Sequence, residues 1–109
     1  MTSEELLNEE IDYLYEYARK GLLYFIPIWD SAETLAGKGA TRERVREITL
    51  ELVGALIDRG VQVGEISQQA DRDIEPWSED KGEILNRIDE GIKHRSDPLD
   101  FVDICGFRA

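Results

Sequence analysis

Few side chains in this chain could do chemistry, and they do not stand together in the sequence. Among 109 residues there is one histidine, His94, and one cysteine, Cys105. Acid–base or nucleophilic catalysis needs such a group beside a partner that tunes its reactivity. His94 lies between Lys93 and Arg95 at a predicted helix end, so only a fold that brings it to Cys105 would supply a pair. The sequence predicts a protein that is not an enzyme, with no catalytic residue and no cofactor.

One acidic stretch has the alternating oxygen ligands of a calcium loop. Asp71, Asp73 and Glu75 occupy the first, third and fifth positions. An EF-hand loop also needs glycine at the sixth position and a bidentate glutamate at the twelfth. Here those positions hold Pro76 and Gly82. We therefore predict a solvated acidic loop and no metal site.

The chain is strongly acidic, with 24 acidic against 13 basic residues and a net charge of −11. Such a surface repels nucleic acid and anionic lipid and attracts basic proteins. The length and the 41% hydrophobic content predict one folded domain over residues 1–109. A single cysteine and an N-terminus without signal-peptide features indicate the cytoplasm. The longest apolar run, Leu22–Trp29, is too short to cross a membrane.

Helix caps and apolar residues at helical spacing recur along the chain. Thr2 with Glu5 makes a capping box, and glycines follow the first three predicted helices. Four helices are expected, opening at Thr2, Asp30, Thr41 and Ser78 and ending at Gly21, Gly37, Gly60 and Lys93.

Three segments rich in β-branched and aromatic residues predict strands: Leu22–Ile28, Val61–Ile66 and Phe101–Phe107. Pro27 should stop pairing near Ile26, and Gly64 suggests a bulge. The polar run Ser67–Ser78 predicts a loop. The fold class that we predict is α+β: a helical core with a small two- or three-stranded antiparallel sheet, winged-helix-like in element order.

A winged helix would place Arg42, Arg44 and Arg46 at the start of a DNA-reading helix. Glu43 and Glu47 interleave with these arginines and suggest a solvated face of helical ion pairs instead. The overall charge also has the wrong sign for binding a polyanion. A winged-helix-like transcription regulator or an acidic nucleic-acid mimic is therefore kept only as the alternative function.

The segment Asp71–Glu83, called the Trp77 segment below, is the predicted partner-binding site. Tryptophan anchors many protein interfaces, and surrounding charge steers a partner of opposite sign. Trp77 could equally plug the core, and both interpretations stay open at this point. The first helix offers a second acidic surface around Tyr13 and Tyr17, with Glu9 and Glu16. The predicted contact residues of the Trp77 segment are Asp71, Asp73, Glu75, Trp77, Glu79, Asp80 and Glu83.

The C-terminal half resembles small acidic bacterial proteins without assigned activity, some of which are similar to immunity proteins or antitoxins. The segments that carry the resemblance are Leu56-Ile-Asp-Arg-Gly60, Val61-Gln-Val-Gly-Glu-Ile66, Glu75-Pro-Trp77, Glu83-Ile-Leu-Asn-Arg-Ile88 and Asp103-Ile-Cys-Gly-Phe107. The resemblance implies inhibition by binding and transfers no individual functional residue. Together with the acidic charge, it predicts a protein that neutralises a basic partner, a toxin encoded nearby.

Overall fold

A computed structural model describes residues 2–109 and has the predicted α+β class. Within these residues, the fold contains four α-helices, a short 3₁₀-helix and one antiparallel sheet of four strands. In chain order the elements are α1 (Ser3–Lys20), β1 (Leu23–Tyr24), α2 (Phe25–Ala36), α3 (Arg42–Asp58), β2 (Gln62–Ile66), β3 (Ile74–Pro76), α4 (Lys81–Lys93), the 3₁₀-helix (Pro98–Asp103) and β4 (Gly106–Arg108).

Helices α1 and α3 begin and end where the local sequence predicts. The Thr2 side chain accepts the Glu5 N–H at 3.1 Å, and Thr41 accepts the Arg44 N–H at 3.1 Å. Each bond satisfies a backbone donor that the first helical turn leaves free. Gly60 adopts a φ of +93°, the left-handed conformation that ends α3. The apolar residues that stand at helical spacing in these two helices are buried, except for Leu7 in α1 and Ala55 in α3, which are half-buried.

The predicted strand Leu22–Ile28 is mostly wrong, because helix α2 begins at Phe25. Pro27 lies in the first turn of that helix, where an N–H has no acceptor within the helix, so proline is tolerated there. Phe25 and Ile28 are fully buried as residues of this helix, just as they would be in a buried strand. Asp30 consequently lies inside α2 and does not cap it.

Ser78, the predicted cap of the last helix, lies two residues before the observed cap. Helix α4 begins at Lys81, and its cap is Asp80, whose carboxylate accepts the Glu83 N–H at 2.9 Å. A carboxylate at this position also interacts favourably with the positive end of the helix dipole. Of the four residues predicted to face inward, Ile84, Ile88 and Ile92 are buried, whereas Leu85 is half-buried.

The sheet has the strand order β1–β4–β2–β3 and therefore has four strands where two or three are predicted. Strands β2 and β4 pair antiparallel, with Val63 opposite Phe107. The additional strand, β3, lies inside the predicted loop Ser67–Ser78. The likeness to a winged helix stays a prediction.

Proline is compatible with β3 because of where it stands in the ladder. The Trp77 N–H donates to Val63 O at 2.9 Å, and Ser67 N–H donates to Asp73 O at 3.0 Å. Hydrogen-bonded pairs alternate along an antiparallel ladder, so Pro76 and its partner Gly64 form a non-hydrogen-bonded pair. The missing N–H of Pro76 would point away from β2, toward the open edge of the sheet.

Gly64 does not form the predicted bulge, since the register around it is regular on both sides. Its role is close approach between strands. A Cβ at this position would lie 2.1 Å from the backbone oxygen of Glu75. Glycine therefore lets β3 sit against β2.

The predicted C-terminal strand Phe101–Phe107 is wrong over most of its length. Asp97 caps the 3₁₀-helix by accepting the Leu99 N–H at 3.0 Å, and only the last part pairs as β4. Phe101 is buried from this helix, with its ring centroid 4.8 Å from Trp29 and 5.8 Å from Phe25. An aromatic cluster, and not a strand, therefore holds this segment against α2.

Candidate partner-binding site

The fold does not make a reactive pair of the cysteine and the histidine. Cys105 is 1% exposed, and burial raises the pKa of its thiol, which disfavours the nucleophilic thiolate. The His94 side chain is 75% exposed, with Nε2 3.4 Å from a Glu90 carboxylate oxygen. No hydrogen bond joins the two side chains within residues 2–109. In the same residues, no group of three or more acidic, histidine or cysteine side chains is arranged to hold a metal ion.

The Trp77 segment comprises the end of the loop before β3, β3 itself, the connection to α4 and the first residues of α4. Of its predicted contact residues, five acids are exposed, whereas Trp77 and Glu79 are half-buried. The exposed acids are Asp71, Asp73, Glu75, Asp80 and Glu83.

Most acids of the Trp77 segment already have a role within the chain. Asp73 pairs with Arg108 at 2.9 Å, and Glu79 pairs with Arg87 at 2.8 Å. Asp71 lies 3.9 Å from Arg72, and the Asp80 carboxylate is committed to capping α4. Within residues 2–109, only Glu75 and Glu83 of this segment lack both an ion pair and a capping bond. The free negative charge is therefore smaller than the composition suggests.

Trp77 combines features of both interpretations. Its ring packs against the core, and its Nε1 is buried without a hydrogen-bond partner among the described residues. The outer side of the ring is occupied, because the Arg87 guanidinium carbon lies 3.9 Å from the ring centroid. Arg87 is held there by Glu79 and by Glu65, whose carboxylate is 3.4 Å away. A partner could use Trp77 as an anchor only after displacing this arginine.

Two of the three arginines of α3 contact α4 or the residues that follow it, and all three are engaged within the chain instead of being free for a phosphate backbone. Arg42 donates to the Ile92 carbonyl near the end of α4 at 2.9 Å and to two carbonyls just after the helix, those of Arg95 and Ser96, the latter at 2.7 Å. Arg46 pairs with Asp89 of α4 at 2.5 Å, and only Arg44 makes a local pair, with Glu47 at 3.3 Å. The predicted helical pairs of Arg42 and Arg46 are therefore replaced by contacts between helices. Sequence reasoning missed them because the partners are more than 40 positions away.

The Arg46–Asp89 pair is partly buried, and this sets the direction of its pKa shifts. Burial alone raises the pKa of Asp89, but hydrogen bonds from Arg46 and Lys93 outweigh it and leave the pKa below its ordinary 3.8. The hydrogen bond that Arg46 donates to Asp89 raises the pKa of the Arg46 guanidinium. Both groups are therefore charged at neutral pH, and the pair fixes α4 against α3.

The acidic surface of α1 differs from the Trp77 segment because its aromatic side chains are exposed to solvent. Tyr13 is 57% and Tyr17 is 41% exposed, and their rings meet edge to face with centroids 6.3 Å apart. They border a cleft of about 360 Å³ between α1 and α2, which also contains Glu10 and Asp30. Glu10 accepts a hydrogen bond from the Ser31 hydroxyl at 2.8 Å and so links the two helices.

The chain matches no family model, no curated protein and no solved structure. The resemblance to acidic bacterial immunity proteins and antitoxins stays a prediction. Within residues 2–109, no helix combines the length and the apolar character needed to cross a membrane.

Proposed function

We propose that this protein binds a basic protein partner and neutralises it by covering the partner's active surface, as an immunity protein or antitoxin does. The partner would be a toxin encoded beside it. The observation that carries the proposal is a large excess of exposed acid that the chain's own bases do not neutralise.

Helix α1 gives the clearest example of this excess. Six acids precede Arg19, the first basic residue of the chain. Two of the six are paired within the described residues: Glu16 with Arg19 at 2.9 Å, and Asp12 with Arg59 at 2.7 Å. The exposed acids Glu4, Glu5 and Glu9 make no such pair in residues 2–109. Their field extends into solvent and attracts a basic protein.

Charge of this kind acts mainly on the rate of association. Electrostatic steering raises association rate constants by about 10- to 1,000-fold, and salt screens it. For an inhibitor of a toxin, fast capture is the useful property, because the toxin acts until it is covered. The buried thiol and the exposed histidine support a role in binding over one in catalysis.

The test pairs this chain with the product of the adjacent reading frame. Co-expression should restore growth that the adjacent product alone arrests, and the two purified proteins should associate directly. Between about 50 and 500 mM salt, the association rate constant should fall by roughly tenfold or more. Random duplex DNA at low salt serves as a control ligand and should not bind. Growth arrest that persists, or association that does not respond to salt, would contradict the proposal.

A further inference from the structure

We infer that the cleft between α1 and α2, bordered by Tyr13 and Tyr17, is the surface that seats an arginine side chain of the basic partner. This inference rests on the proposed function and names the contact that would provide it. The occupant is an arginine because two tyrosines and two carboxylates line the cleft, and a guanidinium can bind both kinds of side chain.

The two tyrosines are arranged as a preformed contact. Their edge-to-face packing orients each ring, so little conformational entropy remains to be lost when a partner binds. The same kind of contact occurs within this chain, since the Arg59 guanidinium carbon lies 5.5 Å from the ring centroid of Tyr15. Tyr15 is already in contact with an arginine of the chain, whereas the rings of Tyr13 and Tyr17 are exposed to solvent.

The charge of the cleft is complementary to an arginine. Glu10 and Asp30 both line it, and among residues 2–109 no lysine or arginine does. The hydrogen bond from Ser31 holds the Glu10 carboxylate in place and leaves its second oxygen free to accept from a guanidinium. Asp30 is exposed and makes no ion pair within residues 2–109. An incoming cation would therefore meet carboxylates that are not already neutralised.

The Trp77 segment is the competing surface, but its tryptophan and three of its acids already contact arginines of the same chain. Arg87 already occupies the exposed side of Trp77. Binding there would require breaking contacts before making them. Binding at the cleft requires no such exchange.

The first experiment measures the dissociation rate of the complex with the adjacent gene product by surface plasmon resonance. Tyr13→Ala and Tyr17→Ala should each raise that rate by about tenfold or more, the effect of removing an interface anchor. Tyr24→Ala is the matched control, since Tyr24 is 41% exposed like Tyr17 but lies on β1. It should change the rate by less than about twofold. Thermal unfolding of each variant will show that the fold is retained.

The conservative variants Glu10→Gln and Asp30→Asn test the charge separately. Each keeps the shape of its side chain, and glutamine can still accept from Ser31. Each should slow association or weaken affinity several-fold, and the effect should disappear at high salt. Equal binding by the two tyrosine variants and wild type would overturn the inference and leave the proposed function standing. Slower binding by Glu75→Lys with Glu83→Lys in that case would place the contact on the Trp77 segment.

A titration with a ten-residue arginine peptide tests the cleft without the partner. In ¹⁵N NMR spectra, the largest amide shifts should fall on α1 around Tyr13 and Tyr17 and on α2 around Ser31. They should be lost in Tyr13→Ala and reduced with a ten-residue lysine peptide, because guanidinium stacks on tyrosine better than ammonium does. Shifts spread evenly over exposed acids, or centred on the Trp77 segment, would overturn the inference. If the adjacent product fails to bind wild type, the proposed function fails, whereas the peptide result still decides the cleft.

Discussion

Replacing Gly64 by alanine tests how β3 and the Trp77 segment are held on the sheet. The added Cβ would lie 2.1 Å from Glu75 O, 2.6 Å from Glu75 C and 2.8 Å from Pro76 Cα. All three atoms belong to the backbone, so no side chain can rotate aside. To restore ordinary contact at 3.4 Å, β3 would have to move outward by roughly 1.3 Å.

That displacement is large compared with the hydrogen bonds that hold β3. The bond from Trp77 N–H to Val63 O is 2.9 Å long, and a shift of this size takes it beyond hydrogen-bonding distance. Each lost backbone bond costs about 0.5–1.5 kcal/mol, so losing two or three predicts a destabilisation of about 1–4.5 kcal/mol. For a domain of this size, each kcal/mol lowers the melting temperature by roughly 4–8 °C.

Urea unfolding followed by circular dichroism measures the free energy, and tryptophan fluorescence of the folded state reports whether Trp77 has loosened from the core. Gly82→Ala is the matched control, because a Cβ there meets nothing closer than the Asp80 carboxylate at 3.5 Å. Alanine in place of this helical glycine should stabilise the protein by about 0.5–1 kcal/mol. A Gly64→Ala protein as stable as wild type, with unchanged fluorescence, would refute the reasoning from close approach.

The core and the helix–helix ion pair give three further tests. Ile88→Ala should cost about 2–4 kcal/mol in urea unfolding because Ile88 is fully buried, and a change below about 0.5 kcal/mol would contradict that position. Leu52→Asp should prevent folding, since the new charge would be buried without a partner; a native circular dichroism spectrum would contradict this. Asp89→Asn should destabilise at pH 7 by about 1–3 kcal/mol through loss of the Arg46 pair. Because the pKa of Asp89 is lowered by folding, its stabilisation is present above the unfolded pKa and is lost as pH falls through the folded one. The difference between wild type and Asp89→Asn should therefore shrink below about pH 4, and a constant difference down to about pH 2 would be the contrary result.

The candidate sites separate into what composition predicts and what contacts decide. The acidic excess and the chemistry of the Trp77 segment can be seen in the sequence. The pairing of Asp73 with Arg108, and of Glu79 with Arg87, cannot be seen there, because partner choice depends on which elements become neighbours. The exposed tyrosines of α1 are visible as a pair four residues apart. The cleft that they border forms only because α2 packs beside α1, which the sequence of α1 does not show.

The sequence by itself determined the class of the fold, the long helices and the acidic character of the protein. Caps such as Thr2 and Thr41 act over three residues, so their effect is already contained in the local sequence. Apolar spacing likewise identified the buried faces of α1, α3 and α4.

The tertiary structure alone decided how the ambiguous apolar segments are used and where negative charge stays free. The apolar residues of Leu22–Ile28 could be buried in either a helix or a strand. In the folded protein most of them lie in helix α2, where Phe25 packs against Phe101. The short strand β3 exists because Gly64 lets the backbones approach, a property of two segments and not of one. Burial, strand pairing and ion pairing join residues tens of positions apart. Their outcome depends on the whole fold, which no local pattern contains.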